Sequence, residues 1–138
     1  MSCPPITLIA DRIEIADLFT RFARLLDEVR YEDVDTVFTD DVEVHSPRIQ
    51  VRGIDKVADF MRRSQVNGEL TQHTTTDLLV EVDGDQAAAS ANSLVYYYRD
   101  GQPPHQTGGL RLAGTAVRTS AGWRLRKARI MLAWMRKD

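Results

Sequence analysis

The sequence predicts an α+β fold in which a curved antiparallel sheet wraps around one long N-terminal helix. Two observations carry this. An apolar repeat of helical period fills the N-terminal stretch up to Arg30, and a period of two runs from Leu70 almost to the end. Turn signals in VDGD, DGQPP and SAG then cut the second half into strands long enough to bend. No linker or internal repeat divides the 138 residues, so the chain is read as a single domain, 1–138, with residues 1–6 as a flexible tail.

The first helix is expected over Thr7–Arg30. At about 100° per residue, Ile15, Leu18, Phe19, Phe22, Leu25, Leu26 and Val29 form one broad apolar arc, opposed by Asp17, Arg21, Arg24 and Glu28. An arc this wide needs a concave partner. The next stretch, YEDVDTVF, reads as a short helix with Val34, Val37 and Phe38 inward, and a strand follows from about Asp41. Ile54, Val57, Ala58 and Met61 predict a helix over Ile54–Arg63, entered at Gly53.

Four strands make the meander: Leu70–Val82, Ala87–Arg99, Gln106–Thr119 and a last one from Trp123 to Trp134. In the last, Trp123 and Leu125 share one parity, while Ala128, Ile130, Leu132 and Trp134 take the other. A β-bulge near Arg126 and Lys127 is predicted to bring both sets to one face.

Composition narrows the function. Apolar residues at 43% and charged residues at 28% are ordinary for a globular domain. A net charge of −2 provides no field to recruit nucleic acid or an anionic membrane, and the basic stretch Arg124, Arg126, Lys127, Arg129 reads as a solvated sheet face. No segment approaches the roughly 20 apolar residues of a membrane span, and the opening residues do not resemble a signal peptide; a cytoplasmic location is expected. Cys3 is the only cysteine, which excludes an intramolecular disulfide and a thiolate metal cluster. Nucleotide, hydrolase and metal-ligand motifs are absent, so no cofactor and no metal are expected.

Three residues are candidates for chemistry: Asp27, His45 and His73. Each has an ordinary explanation on its own. Asp27 lies in the last turns of the first helix beside the small Ala16 and Ala23, where the macrodipole disfavours a carboxylate. His73, in TQHTTTD, opens a strand. Its parity matches Thr75, Asp77 and Leu79, not the more apolar Leu78, Val80 and Val82. His45 shares parity with Glu43 and not with Val42 and Val44. Tyr96, Tyr97 and Tyr98 alternate faces, so at most two reach one pocket. His105, beside Pro103 and Pro104, reads as a loop residue.

The stretches DRIEIADLFTRFARLLDEVRYEDVDTVF, GIDKVADFMRR, TQHTTTDLLVEVDGDQAAASANS and VRTSAGWRLRKARIML, in that order, resemble the SnoaL-like branch of the NTF2-like superfamily over nearly the whole chain. The resemblance implies a cystatin-like cone with a deep apolar pocket, a small-molecule ligand and a homodimer. In scytalone dehydratase-like and dehydrochlorinase-like members, an aspartate near the end of helix one pairs with a histidine at the start of the first meander strand. The matching residues are Asp27, in LLDE, and His73, in TQH.

The resemblance thus implies a cofactor-independent lyase, isomerase or cyclase acting on a polyketide-, steroid- or aromatic-like molecule. His73 would be the base and Asp27 its orienting partner, with His45, Tyr96, Tyr98, Phe19 and Ala23 as candidate substrate contacts. Leu26 stands where the dehydratase-like pattern has a tyrosine, and the places of a second histidine and a further tyrosine fall near Tyr96–Tyr98 and His45. The dehydratase reaction itself is therefore not carried over. Two other readings share the fold: a non-catalytic binding or dimerisation module, and a transport or assembly adaptor, which predicts an exposed apolar patch on the convex sheet face.

Overall fold

Helix α1 spans Pro5–Asp27 and buries Ile15, Leu18, Phe19, Phe22 and Leu25 against the sheet, as its apolar arc requires. The computed structural model describes residues 5–138, so Cys3 lies outside the described residues; Pro5 and Ile6, read as tail, already belong to α1. The helix stops short of Arg30. Arg30 N–H donates to the Leu25 carbonyl at 2.9 Å and Val29 N–H to the Leu26 carbonyl, a Schellman closure. Val29 is the left-handed residue of that motif, with φ 54°, and it leaves the arc to stand 39% exposed.

A 3₁₀ turn, Tyr31–Thr36, replaces the expected short α-helix and delivers the chain to β1, Phe38–His45, earlier than Asp41. Phe38 meets Phe22 edge-on, ring centroids 5.3 Å apart. A three-residue strand β2, Gln50–Arg52, is too short to show a period in sequence. Helix α2, Ile54–Ser64, buries Val57, Ala58 and Met61, and Gly53 enters it with φ 100°.

The meander follows as β3 (Leu70–Asp83), β4 (Gln86–Tyr98), β5 (Gln106–Thr119) and β6 (Gly122–Lys137). All six strands form one curved, unclosed sheet in the order β2-β1-β6-β5-β4-β3. One pairing departs from the antiparallel expectation: β1 and β6 run parallel. These two strands are far apart in sequence, so no hairpin dictates their relative direction.

Three bulges set the facing of side chains. Thr115 pairs with Lys127 while Ala116 pairs with Leu125, so Arg126 is the extra residue and Trp123, Leu125 and Ala128 are all buried, as expected. A second bulge leaves Ala133 unpaired between Leu132 and Trp134. It turns Trp134 out of the inward set and onto the convex face, where it is 48% exposed. The indole occupies the space a Cβ on Gly109 would need.

The third bulge lies in β3. Thr76 pairs with Asn92 and Leu79 with Ser90, leaving Asp77 and Leu78 opposite a single residue. Asp77 adopts φ 54°, a conformation short polar side chains tolerate, and accepts a hydrogen bond from Asn92 Nδ2 at 3.0 Å. The less exposed positions therefore change from Thr71, His73 and Thr75 to Leu78, Val80 and Val82. His73 shares the concave face with the apolar residues whose parity it opposes in sequence.

At the other end of α1, Asp11 is buried at 4% exposure. It accepts two hydrogen bonds from Arg118, at 2.8 and 3.0 Å, and one from the Trp123 indole at 3.1 Å. The Arg118 guanidinium holds the Asp11 carboxyl below its usual range and lies over the Trp123 ring, 4.6 Å from its centroid.

Substitutions at two positions test the backbone reading by thermal denaturation. Val29→Gly removes a β-branched residue from a left-handed position and is expected to stabilise the protein by about 1 kcal/mol, a rise of about 3–5 °C in Tm. Asp77→Val places such a residue in the β3 bulge and is expected to cost about 1–2 kcal/mol, whereas Asp77→Gly keeps the bulge.

Candidate active site

Of all the sheet, α1 packs most closely on β3. Ala16 and Ala23 lie on the same helical face as Asp27, and their small side chains allow that approach. β3 is also an edge strand, so one side of its backbone lacks a strand partner. Asp27, the last residue of α1, meets that edge. Its Oδ2 accepts the His73 backbone N–H at 2.8 Å, and its Oδ1 accepts the Thr71 hydroxyl at 2.9 Å. The same Oδ1 lies 2.6 Å from His73 Nδ1. The two side chains are largely buried, 19% and 12% exposed for Asp27 and His73.

Burial alone would push the Asp27 carboxyl up. The bonds from the His73 ring, the His73 backbone and the Thr71 hydroxyl outweigh it and hold the group below its usual range. An ionised carboxylate only accepts hydrogen bonds, so the proton between the two groups sits on Nδ1. In its uncharged form the ring then presents a lone pair at Nε2, and among the described residues no side chain hydrogen-bonds to that atom.

The register identifies what shares this face. Val95 pairs with His73 and Tyr97 with Thr71, while Tyr96 and Tyr98 alternate to the opposite face. Tyr97 is thus the tyrosine on the His73 side, in place of the two expected there. Burial pushes its phenol up, the Arg48 cation lowers it in part, and Glu69 adds to the rise. Glu69 is held by His105 Nε2 at 3.0 Å, and His105 N–H donates to the Tyr97 carbonyl, so the loop histidine braces the rim. Leu132 and Met135 point to the concave side and remain 45% and 38% exposed, giving the open end an apolar lip.

Other expected contacts fall elsewhere. His45 faces away from Val42 and Val44, with Nε2 3.5 Å from Glu43 Oε2, because strand alternation puts it on the convex side. Phe19 is a core residue, 4% exposed, whose ring packs toward Gly114. Ala23 is half-buried on the Asp27 face of α1. Two surface depressions lie away from the dyad, one among Asp41, Glu43, Arg52, Thr115, Arg126 and Lys127, the other beside the β3–β4 turn. Thr71 and Tyr97 were not singled out in sequence, although Thr71 stands two residues from His73 and so must share its face.

The lowered Asp27 carboxyl has a consequence for stability. A depressed folded pKa contributes stability that is complete above the unfolded value, about 3.9, and is lost as pH falls through the folded one. Asp27→Asn is expected to cost about 1–3 kcal/mol at neutral pH. In urea denaturation the gap to the wild type should narrow below about pH 4.

Residues 7–129 match the SnoaL-like domain family. An uncharacterized protein of Mycobacterium tuberculosis strain H37Rv is 30% identical over 124 residues, spanning 85% of this chain and 82% of its own. Among solved structures, a Kribbella flavida protein superposes with a TM-score of 0.84 at 23% identity, covering 94% of this chain and 95% of that one. A hexachlorocyclohexane dehydrochlorinase (LinA) gives 0.86 at 17% identity, covering 98% and 93%. A putative scytalone dehydratase from Novosphingobium aromaticivorans gives 0.83 at 15%, covering 98% and 92%. The last three likenesses concern the fold, a cone with a cystatin-like topology. By the extent of its family match, the chain belongs to the SnoaL-like domain family of the NTF2-like superfamily.

Proposed function

We propose that this protein is a cofactor-independent lyase, isomerase or cyclase of small, largely apolar molecules, with His73 as general base and Asp27 as its orienting partner. The observation that carries the reading is the 2.6 Å contact from His73 Nδ1 to Asp27 Oδ1, which leaves Nε2 as an unengaged base on the concave face. Nε2 takes a proton from a carbon beside a carbonyl or a leaving group. The C–H electron pair forms a double bond and expels the leaving group, or shifts an existing double bond. The imidazolium formed is stabilised by the ionised carboxylate. Tyr97, on the same face as His73, returns a proton to a departing oxygen.

The dehydrochlorinase and the putative dehydratase among the structural neighbours carry names that denote elimination, which agrees with this chemistry. The non-catalytic reading predicts either that Asp27 and His73 point apart or that side chains fill the pocket, and the contact between them speaks against the first of these. The convex face carries exposed Leu79, Leu94 and Trp134, interrupted by exposed Arg111, Lys127 and Arg129. Such a patch suits contact with a second copy better than an adaptor's broad apolar surface, so a homodimer belongs to this reading.

The test is proton NMR in D₂O of a panel of small cyclic ketones and β-hydroxy or β-halo compounds. At least one should exchange or eliminate with the wild type, and that rate should fall about 10²–10⁴-fold in His73→Ala with folding intact. Asp27→Asn should lower it as well. A compound turned over equally by wild type and His73→Ala would contradict the proposal.

A further inference from the structure

The chain between β1 and β2, residues 46–49, is a tight loop. Ser46 N–H donates to the Ile49 carbonyl at 2.8 Å. The Ser46 hydroxyl oxygen accepts the backbone N–H of Arg48 and of Ile49, both at 3.3 Å. Pro47 fixes a further dihedral between them. The backbone that carries Arg48 is thus held in place, while its side chain is exposed. Among the described residues, Arg48 bonds only through that backbone N–H, and its guanidinium has no partner. Other arginines near by are paired: Arg52 with Glu43 at 3.8 Å and Arg30 with Asp33 at 3.0 Å.

The loop lies toward the open end of the cone. β1 runs beside β6 only as far as His45, opposite Arg129, and β6 continues without it to Lys137. That last part of β6 carries Leu132 and Met135, the apolar lip. Arg48 is near enough to Tyr97 for its positive charge to lower the phenol. Glu69 acts on the same phenol with the opposite sign, but its carboxylate is held by His105 Nε2 at 3.0 Å. The mouth therefore combines a partnered anion with an unpartnered cation beside an apolar lip. Its distance from the base is set by the sheet. Tyr97 pairs with Thr71 and Val95 with His73, so the phenol and imidazole rows are two residues, about 7 Å, apart.

We propose that Arg48 anchors a carboxylate of the ligand, so that this protein takes small apolar carboxylic acids with the acid group at the mouth and the apolar body in the cone. This rests on the base role of His73 and names the substrate class for it. The reacting C–H then lies about 7 Å from the carboxylate, the width of a six-membered ring with a substituent at each end. A guanidinium suits this task because its planar fork gives a carboxylate two parallel N–H···O bonds. The Glu69 charge repels an anion from the other side of Tyr97, which leaves one orientation for the acid.

The experiment compares 4-acetylbenzoate with 4-acetylbenzamide, and 2-naphthoate with 2-naphthamide. Each amide keeps the shape of its acid and lacks the charge. Protein-observed ¹⁵N NMR titration should show the wild type binding at least one acid about tenfold more tightly than its amide, with a shift of the Arg48 Nε–H signal. Arg48→Gln should bring the ratio close to one while amide affinity and Tm stay as they were, because the side chain is exposed. Arg48→Lys keeps the charge without the fork and should retain part of the preference. Arg129→Gln, on the convex face, should retain all of it.

His73→Ala separates this anchor from the base. The acid preference should persist there, since an imidazolium is not its source. Deuterium exchange at the acetyl group of 4-acetylbenzoate, which wild type should accelerate, should be lost. An acid preference absent from both pairs, surviving Arg48→Gln, or lost in His73→Ala overturns the assignment to Arg48. Acid preference without exchange above the buffer rate would instead remove the base role and leave the Arg48 anchor standing.

Discussion

The carboxylate of Asp27 is the point at which helix and sheet are made to fit. A negative charge at the last residue of α1 is opposed by the helix macrodipole, and burial opposes it again. Three donors from β3 reverse that balance. One of them, the His73 N–H, exists as a free donor because β3 is the sheet edge. The same interaction therefore blunts an exposed strand edge, stabilises the end of the helix and fixes the imidazole ring. The turn that follows holds Val29 in a left-handed conformation, unusual for a β-branched residue. Backbone strain of this kind is tolerated where the surrounding contacts over-determine the geometry.

The opposite end of α1 is pinned by a second carboxylate. Asp11 holds Arg118 and Trp123 on β5 and β6, and Glu14 accepts the Trp123 backbone N–H at 3.0 Å. Between Asp11 and Asp27 lies roughly 24 Å of helix, packed into the core with Phe19 toward Gly114 and Phe22 against Phe38. With both ends anchored to different strands, the helix has little freedom to slide. The position of the Asp27 carboxylate against His73 thus follows from the core as a whole and not from the local contact alone.

Helix and strand periods made most of the architecture legible, and the β6 bulge at Arg126 was legible for a specific reason. Two apolar sets of opposite parity flank it, and both had to be buried. The β3 bulge at Asp77 has the same form, but its first half is TQHTTT, and threonines do not announce an inward face. Parity there argued against His73 until the bulge was seen. The bulge at Ala133 left no trace, because Trp134 has the parity and the character of an inward residue. The parallel pairing of β1 with β6 is a long-range fact that no local pattern encodes.

The site itself was half legible. Asp27 and His73 came from a family likeness spread over the chain, and the structure places them in contact. Three consecutive tyrosines could not be ranked by chemistry; the register of β3 on β4 selects Tyr97 for the His73 face. Phe19 and His45 illustrate the converse, since a residue of suitable type can lie in the core or on the convex face.

The central claim is that Asp27 holds His73 as a base with its Nε2 lone pair directed into the cone. Long-range ¹H–¹⁵N correlation of the His73 ring in the free protein, under mildly alkaline conditions, tests it most directly. The account predicts a protonated Nδ1 and an unprotonated Nε2, with that preference lost in Asp27→Asn. A proton found on Nε2 in the wild type would contradict it.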